Sequence, residues 1–296
     1  MHLNKIKTKI GLEIFKIKKN FEIFGKLKKN YTLHFTLKKN EPLYDLVYNG
    51  YDFHKKLLTD EDINFIIQKY VNKLKLTNDK TFDYNLTFPF FDKKIMQKVF
   101  NSEIIEKING FFLKVYNVKP VLQQSPMIVI TKPSIENKDM NKSVKIPADY
   151  HTDYPTEMAI HIPLNDLKEN SIHTVYCEKS NRHLLTKSTS KYGDKFVSKF
   201  KKVKLSTTKG NAIILDTQGI HRANVKKGDL RIMLFLKFSS KNNLIFDVDY
   251  SENSNKSKLS EYFNFNNQIL ENDRDFALRN GYLDENQCKI YNYFTK

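Results

Sequence analysis

His151-Thr152-Asp153 sets an imidazole and a carboxylate two residues apart. In extended chain that spacing points both side chains the same way, so the pair can share one metal ion. Alone the triplet is weak, because motifs this short recur by chance. A second histidine, His221, closes the segment Gly210-Asn-Ala-Ile-Ile-Leu-Asp-Thr-Gln-Gly-Ile-His, just past an apolar strand and a short turn. Two imidazoles and one carboxylate make the facial triad that holds non-haem iron(II) with coordination positions left open. Arg231 follows ten residues after His221, across a Lys227-Gly228-Asp229 turn. It shares parity with Met233 and Phe235, while Leu230, Ile232, Leu234 and Leu236 take the other face. Both faces are apolar, so the guanidinium is expected inside the fold, where it needs an anion. No carboxylate close in sequence offers itself. A dicarboxylate co-substrate would satisfy the arginine through a bidentate pair, and an internal salt bridge is the alternative.

Other candidates carry less. His161, in Met-Ala-Ile-His-Ile-Pro-Leu, is opposite in parity to Ile160 and Ile162 and is expected to be structural, with a pocket-facing role as the alternative. Lys237 shares the parity of Arg231; it is expected as a solvated lysine at a strand end, with contact to an anionic substrate as the alternative. Tyr150 and Tyr154 flank the metal motif and are expected to shape its mouth.

Helices and then strands must position these groups. Thr59 followed by Asp62 reads as a capping box, opening a helix with Ile63, Ile66, Ile67, Tyr70, Val71 and Leu74 on one face to about Leu76. A second helix is expected from about Lys93 to Ile108, stopped by Gly110. From about 112 the period becomes that of strands, at Phe112–Tyr116, Met127–Thr131, Met158–Leu164, His173–Cys177, Lys202–Leu205, Ala212–Leu215 and Leu230–Phe238. Residues 184–200 form a long insertion of the sort that serves as a lid, and Leu259–Phe294 reads as helical. Many short strands preceded by helices predict an α+β fold with a mainly β core, a jelly-roll-like barrel with helices packed on one side.

Composition narrows the class further. The 296 residues, 35.0 kDa in mass, carry only 2 Cys, 9 Gly and 8 Pro, which excludes disulfide frameworks, collagen-like chains and wholesale disorder. Apolar runs are too short to cross a bilayer, and no secretory signal is read at the start. Cysteines without metal-site spacing fit a reducing, cytoplasmic setting. The net charge of +17 suggests nucleic acid or an anionic membrane, yet the basic residues are almost all Lys, with only 5 Arg. Residues 1–40 hold +9 of that charge, with Ile6, Ile10, Ile14, Ile17, Phe21 and Phe24 at helical spacing among lysines. Such a segment lies on an anionic membrane surface or grips a partner, or it packs its apolar stripe on the domain, the commoner use. No aromatic-rich basic motif favours specific nucleic-acid recognition.

On these motifs the chain resembles the phytanoyl-CoA dioxygenase-like family of 2-oxoglutarate/iron(II)-dependent oxygenases. The likeness spans about residues 48–240 and rests on GYDFHKKLLTDEDINFII, YHTDYPTEMAIHIPLND, HTVYCEKSNRH and GNAIILDTQGIHRANVKKGDLRIMLFLKF. Family members carry a Gly-Ser-His turn where this chain has Lys179-Ser180-Asn181-Arg182-His183. Position 233 is Met rather than a hydroxyl residue, so a Ser or Thr supplementing the co-substrate carboxylate must come from elsewhere.

The resemblance implies a double-stranded β-helix, or jelly roll, in which His151, Asp153 and His221 hold Fe(II) as the catalytic centre. It implies 2-oxoglutarate as co-substrate, its distal carboxylate on Arg231, and O2 consumed with release of succinate and CO2. A C–H bond of a small or carrier-linked metabolite would be hydroxylated; related halogenases lack the carboxylate that Asp153 supplies. His173 and Arg182 would line the site by position only. The expected organisation is a basic extension at 1–45, the oxygenase domain with its helices at 46–250, and a helical segment at 251–296. The competing reading is a catalytically silent barrel acting as a basic membrane-surface or nucleic-acid-binding protein.

Overall fold

The computed structural model describes residues 36–71, 75–76, 86–90, 92–117, 120–122, 126–133, 149–153, 156–166, 172–183, 191–226, 228–240 and 263–264. The basic extension up to residue 35, Tyr154 and nearly all of 251–296 lie outside them.

A short helix, α1 (Tyr44–Tyr48), leads into strand β1 (Tyr51–His54) and then helix α2 (Asp60–Ile66). The Thr59 hydroxyl accepts from the Asp62 amide at 3.2 Å, and the Asp62 carboxylate accepts from the Thr59 amide at 3.1 Å. This reciprocal capping box fixes where α2 begins. The helix passes into a π-helical turn over Ile67–Val71, so it stops short of the expected Leu76. Lys75–Leu76 is instead a two-residue strand, β2, paired with Phe263–Asn264. At those two tail positions the chain is extended rather than helical.

Beyond β3 (Leu86–Pro89) come α3 (Lys93–Phe100) and α4 (Glu103–Tyr116), two helices where the sequence suggested one followed by a strand. The stripe Ile104, Ile108, Phe111, Phe112 and Val115 keeps helical spacing and is fully buried, which overrides the β propensity of Phe112–Tyr116. Gly110 sits inside α4 and does not end it. A Cβ there would lie 3.3 Å from the Leu43 side chain, so the glycine admits close packing. The helix ends at Asn117, whose φ of 58° supplies the left-handed cap.

The remaining strands are β4 (Pro120–Leu122), β5 (Met127–Thr131), β6 (Glu157–Pro163), β7 (His173–Cys177), β8 (Lys202–Leu205), β9 (Ala212–Asp216), β10 (His221–Asn224) and β11 (Arg231–Ser240). One antiparallel sheet runs β1-β9-β6-β11-β5-β3, with β4 on the far end of β11; a smaller sheet runs β10-β7-β8. His151 adds to the smaller sheet by exchanging backbone hydrogen bonds with His221, both at 2.9 Å. From β5 onward the chain passes between the sheets: β5 in the large, His151 in the small, β6 back in the large, β7 and β8 in the small, β9 large, β10 small, β11 large. That winding is a double-stranded β-helix, a mainly β core with added helices.

Period-2 alternation divides the labour of the large sheet. Ile128, Ile130, Ile160, Ile162, Ile214, Leu234 and Leu236 join the core formed with α1–α4, so the helices cover the outer face. The inner face presents Val129, Ala159, His161, Leu215, Arg231, Met233 and Phe235 to a cavity. The described part of the 184–200 insertion, 191–200, holds the short helix α5 (Asp194–Val197). It packs Tyr192, Phe196, Val197 and Phe200 against Tyr150, Val175, Cys177 and Ile220, and none of its residues lines the cavity. Tyr150 belongs to that cluster, with Arg222 4.4 Å over its ring, so it does not shape the mouth. Among the described residues no helix is long and apolar enough to cross a membrane.

Candidate active site

His221 is presented by a tight turn after β9. The Asp216 carboxylate accepts from the Gln218 amide at 3.1 Å and from Asn181 Nδ2 at 3.2 Å, and the Gly219 amide closes onto the Asp216 carbonyl at 3.0 Å. Ser180 Oγ accepts from the Ile220 amide at 2.7 Å. The glycine-free segment at 179–183 therefore still supports this turn, with Lys179 taking a φ of 66° itself. Tyr176 donates to the Asp216 carbonyl at 2.8 Å and lies parallel to the His221 ring at 6.5 Å.

The His151 and His221 rings stand 4.4 Å apart. His151 Nδ1 is 2.8 Å from the Asp149 carbonyl and His221 Nδ1 is 2.9 Å from the Gly219 carbonyl. A carbonyl only accepts, so each Nδ1 carries the proton and each Nε2 offers a lone pair. Asp153 Oδ1 lies 3.7 Å from His151 Nε2, and one donor atom from each of the three residues falls within 4.8 Å of the others. Two imidazoles with Nε2 free of the carbonyl contacts and a carboxylate converging at this spacing are a fit donor set for a divalent transition metal. Burial holds the His221 imidazole down at a pKa of about 4, against the pull of Asp153. Burial alone would raise Asp153; the Lys237 ammonium and then the two imidazoles outweigh it and hold the carboxyl at about 2.

Lys237 is not the solvated strand-end lysine the sequence suggested. Its ammonium lies 3.1 Å from Asp153 Oδ2 and 2.8 Å from Glu157 Oε2, with its side chain 17% exposed. Nothing local in the sequence gives that away, because the partners arrive from a loop and from β6.

Arg231 stands with His151, Asp153 and His221 in the lining of one cavity of about 240 Å³, otherwise mostly apolar through Met127, Val129, Ala159, Leu215, Met233 and Phe235. It is 6% exposed. Its polar contact is Thr131 Oγ1 at 3.4 Å, directly across the β5–β11 register, and its Nε is buried without a partner. Among the described residues no carboxylate pairs with it, and burial lowers its pKa to about 10. Among the described residues the arginine therefore forms no internal salt bridge. Position 233 is Met, and the hydroxyl beside the guanidinium is that of Thr131; strand register, which the sequence does not display, places it there. His161 also faces the cavity, its ring 5.2 Å from that of Phe235. Burial, then Arg231 and His221, push its pKa down to about 3, so it is neutral.

No family model and no curated protein matches the chain. Among solved structures, the chain is similar to the non-heme alpha ketoglutarate dependent epimerase SnoN from nogalamycin biosynthesis, at 12% identity over 66% of this chain and 80% of that one, TM-score 0.46. It is similar to the carbocyclase SnoK from the same biosynthesis at 13% identity, over 75% of this chain and 92% of that one, TM-score 0.46. EctD from S. alaskensis, solved with 2-oxoglutarate and 5-hydroxyectoine, is 12% identical over 70% of this chain and 79% of that one, TM-score 0.48. At such distance the site stands on its own geometry.

Proposed function

We propose that the chain is an Fe(II)- and 2-oxoglutarate-dependent dioxygenase that hydroxylates a C–H bond of a small or carrier-linked metabolite, with succinate and CO2 as co-products. The observation that carries this reading is a buried guanidinium with no carboxylate partner among the described residues, in the same cavity as a His-Asp-His donor set. A pure binding module has no physical reason to bury an unpaired charge beside three converging ligands. His151 and His221 would hold iron through Nε2 and Asp153 through Oδ1. When bound, the iron supplies oxygen activation coupled to decarboxylation of the 2-oxo acid.

The chain's own residues do the rest. Arg231 and Thr131 would grip the distal carboxylate of 2-oxoglutarate, a charge-assisted contact that fixes the co-substrate's reach across the cavity. The apolar lining excludes water from the reacting end, and the neutral His161 offers a hydrogen bond without adding charge. The resemblance of the motifs supports the phytanoyl-CoA dioxygenase-like branch as the reading, with residues 46–250 as its oxygenase domain. The free, buried thiol of Cys177 suits a reducing, cytoplasmic setting. The silent-barrel reading draws on the charge of residues 1–40 alone.

Folded protein given Fe(II), ascorbate, O2 and 2-oxoglutarate should release succinate even without its own substrate, and Asp153→Ala or His221→Ala should abolish that release while keeping the wild-type Tm. Succinate at background levels from folded, iron-loaded wild type would count against the enzyme and favour the silent barrel.

A further inference from the structure

We infer that Lys237 is a positioning residue that holds the Asp153 carboxylate in a one-oxygen binding mode; this rests on reading His151, Asp153 and His221 as metal ligands. Asp153 Oδ2 is tied to the Lys237 ammonium at 3.1 Å, while Oδ1 is the oxygen turned towards His151 Nε2, 3.7 Å away. The ammonium draws Oδ2 to one side and leaves Oδ1 as the oxygen presented to a metal. A one-oxygen carboxylate keeps a coordination position free that a chelating one would take.

An ammonium beside a metal ligand would ordinarily repel the cation. Glu157, 0% exposed, answers this: its Oε2 lies 2.8 Å from the same ammonium. Two carboxylates and one ammonium leave one net negative charge, the charge a lone aspartate would have presented. Geometry is thereby fixed without loss of attraction for the metal.

Backbone contacts keep the three groups in place. The Asp153 amide donates to the Thr217 carbonyl at 3.0 Å, and the Thr217 amide to the Glu157 carbonyl at 3.3 Å, so both carboxylates hang from one strap. Lys237 comes from β11, the strand next to β6 in the same sheet, where it is paired in register with Ala159. It projects from the same face as Arg231. One strand therefore carries both the anchor for the co-substrate and the latch on the metal ligand.

The test compares wild type with the charge-balanced double variant Lys237→Met/Glu157→Gln, which keeps one net negative charge among the three positions. Metal-stripped proteins are titrated anaerobically with Co(II), whose visible ligand-field absorption reports coordination number. The double variant should bind Co(II) roughly 10- to 100-fold more weakly, as loss of an outer-shell partner generally does, with a changed absorption intensity. Lys237→Arg, which keeps the charge and a donor, should recover most of the affinity and the wild-type spectrum. If the double variant does not fold, Glu157→Gln alone, which leaves the ammonium to cancel the charge of Asp153, should weaken Co(II) by about 10-fold. An affinity within twofold of wild type and an unchanged spectrum in the folded variant would overturn the latch and leave the triad reading standing. Failure of wild type itself to bind Co(II) would overturn both.

Discussion

Arg231 sits in this fold at a cost that something must offset. A guanidinium 6% exposed with a buried, partnerless Nε is expensive in the metal-free, co-substrate-free protein. Arg231→Leu should therefore leave the Tm unchanged or raise it, while weakening 2-oxoglutarate binding by about 3 kcal/mol, or roughly 100-fold. Thr131→Val should cost about 1 kcal/mol of the same affinity. Calorimetric titration of both variants checks this, and equal affinity in Arg231→Leu would remove the arginine from the co-substrate site. His161 gives a pH signature. Its folded pKa of about 3 lies below the ordinary 6.5, so the unfolded chain binds the extra proton between those values. Stability is fully present above about 6.5 and is lost as pH falls towards 3; His221, at about 4, acts in the same direction. Urea midpoints of metal-free protein should fall from pH 7.5 to pH 4, and less steeply in His161→Gln. Parity along one strand was enough to place Arg231 in the interior. It could not reveal Thr131 or the partners of Lys237, because register between strands and the path of a loop are tertiary facts.

Among the elements, the turn joining β9 to β10 sets the proposed metal site. A Cβ at Gly219 would fall 1.8 Å from the Tyr176 hydroxyl, and Tyr176 both holds the Asp216 carbonyl and lies against His221. Gly219→Ala should thus lower the Tm markedly and weaken metal binding together. Gly228, at a φ of 78° with nothing within 4 Å of a Cβ, is the contrast: Gly228→Ala should cost about 1 kcal/mol from backbone strain alone and leave metal affinity intact. Thermal melts with parallel metal titrations separate the two. The strands were largely legible because Gly, Pro, Asn and Asp punctuate them; Met127–Thr131, His173–Cys177 and Lys202–Leu205 fall where alternation put them. The helices were less so. Phe112–Tyr116 is rich in strand formers, and only its continuation of the Ile104–Ile108 stripe, buried under the large sheet, makes it helical. Gly110 misled for a related reason: close packing against Leu43, rather than chain termination, explains it.

For the molecule as a whole, the two sheets flank one cavity that both the His151, Asp153 and His221 donor set and the Arg231 guanidinium face. That arrangement, more than the +17 charge, indicates what the barrel is for. The charge is concentrated at one end of the chain, whereas the four residues of the proposed site lie between 151 and 231. The most direct measurement is an anaerobic titration of metal-free protein with Fe(II) and 2-oxoglutarate, following visible absorption. A metal-to-ligand charge-transfer band should grow to one equivalent of each, and should be missing in His221→Ala and need far more 2-oxoglutarate in Arg231→Leu. Folded wild type that gives no band would contradict the account, leaving the cavity without its assigned metal and co-substrate.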